Sequence, residues 1–582
     1  MTLTRNRPAL LSLLVVLSSP AALSQEPDVQ DMELRQFDRL SRSFFDWRRT
    51  QQPVMGDDIP RVERPGGWVP DFSPDALAAY RESYRAYMDS LDALDTNSWP
   101  IEKQVDARLL RAAIQRVHWE LDILELPHRN PIFYVDQTLG SLFELLILSS
   151  PVDERRIREL ITRLQKFPDT LRDARENLTK PVRPFAEATI AVLADVDERL
   201  SAVHTHLDPH VPNDLKKDFH RAVSKGISSL ESYRTVLQKH LDEMQTAFAI
   251  GPDSYAWFLT HVALIPNTPN ELLAQGQQAW SRAVAWDVLE QNRNRQLSEL
   301  PLLKSMEQQI KVGEIREKEI RAFLETHELM SVPDWLQHYL NRPMPDYLAP
   351  LSFMGVNDDL TSETRLDENA YSYVNAPSAD LPYFSLSRAK DPRPMIIHEG
   401  VPGHYYQMAI SWANPNPIRR RYIDSSINEG IAFYVEEMLL QAGLFDFSPR
   451  SREIIYSYAR LRALRVEIDI RLATGDFSIE QAAQYLSRAV PMDYETALEE
   501  AIFFAFNPGQ AISYQVGKIQ ILRFLADAKL DKGDEFSLRH FHDYLMQNGN
   551  IPVALQRWEY LGNKDDVYRL DGLGGNQATV PQ

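Results

Sequence analysis

A mainly α-helical fold is predicted by three observations. Apolar residues recur at three- and four-residue spacings between charged ones over most of the chain. Cap residues stand directly before proline where such stretches begin, as in Ser73-Pro74-Asp75 and Thr268-Pro269-Asn270-Glu271. Glycine is scarce, 22 in 582 residues, and proline gathers in connectors such as Arg64-Pro65-Gly66-Gly67, Arg342-Pro343-Met344-Pro345 and Asp391-Pro392-Arg393-Pro394. No internal period marks a repeat architecture.

Read in order, residues 1–24 carry the pattern of a cleavable secretory signal peptide. Arg5 and Arg7 give the charged start, Ala9 to Leu17 the apolar run, and Ala22-Leu23-Ser24 the small-residue cleavage site. That run is too short to cross a bilayer, and no later segment has the length of apolar sequence a span requires. The expectation is a periplasmic or secreted protein beginning near Gln25, with no membrane span. Helical periodicity then covers 30–48, 74–94, 101–124, 153–204, 212–247, 270–296 and 303–330, so that 25–340 forms an N-terminal helical region. Residues 341–397 differ. They are rich in Pro, Asn and Asp and hold short β-like pieces, Tyr371-Ser372-Tyr373-Val374 and Tyr383-Phe384-Ser385-Leu386. These fit either a small irregular β-sheet, whose edge would take an extended substrate beside Tyr383, or a surface loop plugged by aromatic residues. Helical patterns return over about 417–442, 450–473, 478–488, 493–505, 509–530 and 536–547. Residues 341–571 thus make a second region, and 572–582 a flexible tail.

The formal net charge is −19, and loss of the arginine-bearing leader makes the remainder more negative. Such a surface repels nucleic acid and anionic lipid. It does not set an oligomeric state. The chain has no cysteine. Disulfides and lipid attachment through an N-terminal cysteine are therefore not expected, and any metal must be held by His, Asp or Glu.

One stretch concentrates the chemistry: His398-Glu399-Gly400-Val401-Pro402-Gly403-His404, preceded by apolar Met395-Ile396-Ile397. Neutral imidazole is the commonest protein ligand for zinc, and a glutamate beside the first histidine is placed to take a proton from water at the metal. The usual arrangement, H-E-x-x-H, puts histidines four apart on one helical face. Here they are six apart, which on an ideal helix turns the second side chain by about 240°. Pro402 has no N–H to give a helix and Gly403 tolerates unusual backbone angles, so a bulged helix that swings His404 back to the metal is predicted. The alternative is a loop with two unrelated histidines. A third ligand is sought in Asn428-Glu429-Gly430-Ile431-Ala432-Phe433-Tyr434-Val435-Glu436-Glu437. Glu429, Ala432, Phe433 and Glu436 share a helical face, and an acid on a core-facing side needs a partner. Asn428 is expected to cap this helix and Gly430 to admit another backbone. Glu436 is expected either to reach a ligand histidine or to sit in a solvated ion pair.

These residues, with Gln407, Tyr434 and the later Pro508-Gly509-Gln510-Ala511-Ile512-Ser513-Tyr514-Gln515-Val516-Gly517, resemble the bacterial family catalogued as domain of unknown function 885. The resemblance covers most of the chain, with its specific motifs inside 398–517. Families of that kind are grouped with the gluzincin metallopeptidases. The resemblance implies a large, mainly helical, zincin-like fold with a deep cleft between two helical halves. It implies one zinc ion held by His398, His404 and Glu429, with Glu399 as general base. In one respect the chain departs from the family pattern. Relatives often end the segment R-x-x-R-x-x-x-D-x-x-x-H on histidine, whereas Arg462, Arg465 and Asp469 are followed here by Ala473. If that histidine assists catalysis in relatives, another group must do so here.

Tyr514 is the substitute the sequence offers, as an oxyanion donor or else as a core tyrosine. Arg462 and Arg465 fit a substrate carboxylate by bidentate contact, or a structural ion-pair network in which Arg465 pairs with Asp469. The favoured reading is a zinc-dependent hydrolase of short peptides in which water attacks directly, no G-x-S-x-G or cysteine nucleophile being present. The alternatives are a zinc hydrolase of other amides or esters and a catalytically silent helical binding protein.

Overall fold

The computed structural model describes residues 29–55 and 61–575. The predicted leader and the last seven residues of the predicted tail lie outside the described residues. The protein is mainly helical, with one small three-stranded sheet. Among the described residues, no helix is long and apolar enough to cross a membrane.

Most predicted helices form where the apolar spacing puts them, and local chemistry sets their ends. The capping box expected from Thr268 and Glu271 starts the helix Pro269–Asn294, and Ser73 caps Pro74–Asp92. The long window 153–204 is three helices, Glu154–Asn177, Arg183–Val192 and Val196–Leu207. Pro181 lies in the first break and Pro184 in the first turn of the helix that follows, a position that suits proline. The window 417–442 divides into Pro417–Arg421 and Ser425–Gln441, because Asp424 accepts from the Ser426 N–H and starts the second helix anew. Helices Leu126–Arg129, Pro131–Val135, Ser141–Leu146 and Pro252–His261 form outside the predicted windows.

Two expectations are corrected. Residues 572–575 are the end of the helix Asp565–Gly575, so the tail does not begin at 572. Tyr383-Phe384-Ser385-Leu386 is not a strand but the first turn of the helix Tyr383–Lys390. A four-residue apolar piece carries no decisive period. Pro382 supplies a helix start, and the Tyr383 and Phe384 rings pack on Tyr458 with centroids 5.8 and 5.5 Å apart. The other β-like piece forms as expected. Strand β1 (Tyr339–Pro343) runs parallel to β3 (Ala370–Val374), and the short β2 (Asp358–Asp359) pairs antiparallel on the other side of β3.

Three large apolar clusters make the core. The first joins the N-terminal helices to Ile512, Val516 and the C-terminal helices. The second gathers Ile320, Leu324 and Tyr339 with Ile397, Tyr405, Ile431 and Phe524. The helix Pro449–Thr474 contributes to all three, through Val466, Ile455 and Leu464 respectively. Beside it the helices Ser425–Gln441 and Ser513–Lys532 cross at two glycines. A Cβ on Gly430 would stand 2.6 Å from the Gly517 Cα, and one on Gly517 would stand 1.9 Å from the Ser426 carbonyl oxygen. The crossing therefore has room for no side chain at either position. Gly517→Ala is expected to destabilise the protein by about 2–3 kcal/mol through forced separation of the two helices. A thermal denaturation midpoint equal to that of the native sequence would contradict this account of the crossing.

Candidate metal centre

The chain enters the site through a short helical turn at Arg393–Met395 and a π turn at Ile396–Gly400. The helix then stops. Residues 401–403 are non-helical and include a cis Val401-Pro402 peptide, and a new helix, His404–Trp412, begins on the second histidine. The predicted bulged helix is thus corrected to a full break between two helical segments. The break folds back tightly. A Cβ at Gly403 would lie 1.8 Å from the His398 carbonyl oxygen and 2.4 Å from that of Ile397, so only glycine fits. Gly400 is equally confined, since a Cβ there would lie 2.4 Å from the Tyr339 ring of β1. The result brings the His398 and His404 rings to 4.9 Å between centroids, nearly perpendicular at 82°.

The third donor comes from the helix Ser425–Gln441. Glu429 Oε2 stands 3.5 Å from His398 Nε2 and 3.4 Å from His404 Nε2. One donor atom from each of these three buried residues lies within 4.8 Å of the other two. Donors about 2.1 Å from a tetrahedral ion are themselves about 3.4 Å apart, which is the spacing of Glu429 Oε2 from each histidine. The hydrogen-bond pattern fits as well. His404 Nε2 and Glu429 Oε2 are buried with no hydrogen-bond partner, a costly state unless a cation completes them. Each imidazole is meanwhile engaged at its other nitrogen. His398 Nδ1 is 2.7 Å from Glu436 Oε1, and His404 Nδ1 is 3.0 Å from Asn428 Oδ1. Such contacts leave Nε2 free to bind a metal. Asn428 is therefore a partner of His404, and the cap belongs to Asp424 instead. Asn428, Glu429 and Glu436 all project from one helix, whose close packing on Gly517 fixes their height.

Electrostatics follow from this burial. Burial alone would lower the His404 pKa, but Glu429 overrides it and lifts the group to about 9. Burial would raise Glu429, but His404 and His398 hold it well below the usual carboxylate range. Glu399 goes the other way. Burial pushes its carboxyl up, Asp358 and Glu429 add to the rise, and the two histidines oppose it. Its Oε2 is buried without a hydrogen-bond partner.

Glu399 and His398 open onto a cavity of about 570 Å3. Its walls include β2 at Asp358, the β3 end at Tyr373 and Val374, and aromatic side chains from Phe384, Phe503 and Phe504. Tyr514 also lines it, its ring nearly parallel to that of His398 at 6.2 Å between centroids. Arg462 and Arg465 line it too, but each is paired. Arg462 Nη1 is 2.9 Å from Glu436 Oε1, and Arg465 binds Glu500. Arg465 does not pair with Asp469 as the helical spacing suggests. Asp469 instead accepts the backbone N–H groups of Gly509 and Ile512 at 2.8 and 3.0 Å. Tyr383 does not line the cavity; its hydroxyl is 2.6 Å from Ser457 Oγ. Ala473 is buried in the first core cluster. It lies eleven residues beyond Arg462 on one helix, about 16 Å along the axis, so a histidine in its place would sit far from His398. Sequence reasoning missed Asn428 as a histidine partner, and Asp358 and Arg388 as cavity groups. Asn428 alone left a signal, by standing next to Glu429.

Two solved structures share this fold. One, from Shewanella oneidensis, is described as "a putative lipoprotein of unknown function"; it has 16% identity and a TM-score of 0.68, over 92% of this chain and 100% of its own. The other, described as "the putative lipoprotein from Colwellia psychrerythraea", has 15% identity and a TM-score of 0.72, over 93% and 99% of the two chains. No curated protein matches the sequence. The family model described as "Bacterial protein of unknown function (DUF885)" matches residues 64–558, a stretch that holds every residue of the site, and the chain belongs to that family.

Proposed function

We propose that the protein is a zinc-dependent peptidase that hydrolyses short peptides in the periplasm or outside the cell. The observation that carries the reading is the convergence of three buried residues, with the facing atoms His404 Nε2 and Glu429 Oε2 making no hydrogen bond, beside a buried glutamate at the wall of a cavity. His398, His404 and Glu429 would hold the ion, a two-histidine, one-glutamate set that leaves a coordination position open. Zinc bound there supplies Lewis acidity, polarising a carbonyl and making water easier to deprotonate.

The chain's own residues supply the rest. Glu399 accepts a proton from the attacking water and returns it to the leaving amine nitrogen. Burial, with Asp358 and Glu429 nearby, raises its pKa, and a raised pKa makes it a stronger base towards that water. Tyr514, half-buried at the cavity wall, offers a phenol O–H to the oxyanion, a contact worth about 10²–10³ in rate. Glu436 orients His398 and is itself held by Arg462, while Asn428 orients His404. A cavity of about 570 Å3 is of a size for a short chain rather than for a folded protein. Location rests on the leader pattern and on the description of both structural neighbours as lipoproteins.

Glu399→Gln is expected to keep one zinc per chain while losing about 10²–10⁴ of the hydrolysis rate; His404→Ala is expected to lose the metal. Digestion of a peptide pool read by mass spectrometry, with and without chelator, tests both alongside elemental analysis. Full activity in Glu399→Gln, or full zinc in His404→Ala, would end the corresponding assignment.

Stability of the metal-free protein should depend on pH through His404. A histidine raised in the fold from 6.5 to about 9 contributes stability that is complete below pH 6.5 and is lost as pH rises through 9. Chelated protein should therefore melt progressively lower from pH 6.5 to 9, and His404→Gln should flatten that slope. Thermal scans across this window check the sign; a midpoint that climbs over it would refute the coupling to Glu429.

A further inference from the structure

Arg388 is a cation that the proposed chemistry does not use. It projects from the helix Tyr383–Lys390 into the cavity that Glu399 and His398 also line. Its guanidinium has five N–H donors, and one of them reaches Ser372 Oγ on β3 at 2.8 Å. Among the described residues it forms no ion pair with a carboxylate, whereas Arg462 and Arg465, which line the same cavity, each have one. Asp358 and Glu399 are near enough to act on it electrostatically. Neither, however, takes its planar fork. Ser372 is fully buried on the central strand and fixes one edge of that fork, leaving the remaining donors to a ligand. Phe384, Phe503 and Phe504 line the same cavity and give an apolar surface.

We propose that Arg388 binds the free α-carboxylate of the substrate's C-terminal residue, so that the protein removes a residue, preferably an apolar one, from the end of a peptide. A planar carboxylate matches two parallel N–H donors, a geometry that an ammonium or an amide cannot reproduce. Placing the chain end beside Glu399 puts the last peptide bond, rather than an internal one, next to the base. The bond cut rests on the peptidase reading; the carboxylate contact does not.

The test compares N-acetyl-Ala-Ala-Phe as the free acid and as the carboxamide. With zinc-loaded native protein, the acid should be hydrolysed about 100-fold better in kcat/KM, the scale set by losing one partner of a desolvated charge pair. Arg388→Gln should abolish the preference, and Arg388→Lys, which keeps charge without the fork, should restore only part of it. Calorimetry on the Glu399→Gln protein gives a readout independent of turnover: the acid should bind at least about 10-fold tighter than the amide. Equal cleavage and equal binding of the two forms would overturn the assignment while leaving the peptidase reading intact. Binding of the acid that depends on Arg388, with no cleavage of any peptide, would sustain the carboxylate site and sink the peptidase reading. Absence of both binding and cleavage for either form would overturn it as well.

Discussion

The site depends on the absence of a side chain at Gly403. A Cβ there would occupy the space of the His398 and Ile397 carbonyl oxygens, so any other residue would force the chain to open between the two histidines. With glycine in place, the backbone turns back on itself within three residues and starts a new helix at His404. Two imidazoles that a continuous helix would point apart then face one another. The second requirement is met by a different glycine pair. Gly430 and Gly517 let two helices approach to backbone contact, and that approach carries Asn428, Glu429 and Glu436 to the level of the histidines. Each glycine serves a close approach, and none of the three has a positive φ.

The same packing concentrates charge. His398, His404, Glu399, Glu429, Glu436 and Arg462 are all buried within one small volume. Such a cluster is not a means of stabilising a fold, because the desolvation of each charge rivals what its partners return. Arg462 and Glu436 satisfy one another and His398, but on the inner face Glu429 Oε2, His404 Nε2 and Glu399 Oε2 make no hydrogen bond, and Glu429 meets the two histidines only as a long ion pair at 3.5 and 3.4 Å. A cation at the centre would convert that inner face from a cost into a set of coordination bonds. The arrangement is economical only if something binds there.

Much of this was legible in the sequence, and the limits have physical causes. Periodicity located the helices because apolar spacing is a local property. Helix ends moved where proline or a capping aspartate intervened, as at Asp424. The spacing of His398 and His404 announced a backbone irregularity, but not whether it would be a bulge or a complete break, since that is decided by contacts to Tyr339 and to carbonyl oxygens outside the motif. The segment at Tyr383 carried no decisive period, and packing on Tyr458 made it helical. Arg388 and Asp358 could not be anticipated, because nothing near them in the chain marks them. They matter only through a cavity assembled from strands, from the helix Pro449–Thr474 and from the helix Tyr494–Phe506.

The arginine-aspartate face of the helix Pro449–Thr474 shows how a motif can brace a reactive site, Arg462 Nη2 itself standing 3.3 Å from His398 Nδ1. Arg462 holds Glu436, which in turn meets His398. One turn on, Arg465 holds Glu500 and lies over the Tyr514 ring at 4.6 Å. A further turn on, Asp469 binds the backbone N–H groups of Gly509 and Ile512. Burial pushes Asp469 up to about 6, opposed by those same N–H groups, so it too depends on its partners for its charged state. The three side chains brace three different neighbours: the histidine-bearing turn, the aromatic wall, and the loop that delivers Tyr514. Position 473 continues the face but points into apolar core, where Ala473 packs and its carbonyl accepts the N–H groups of Ile250 and Gly251. The face therefore runs out of reactive neighbours before it runs out of residues, and the missing histidine takes nothing from the centre that His398, His404 and Glu429 form.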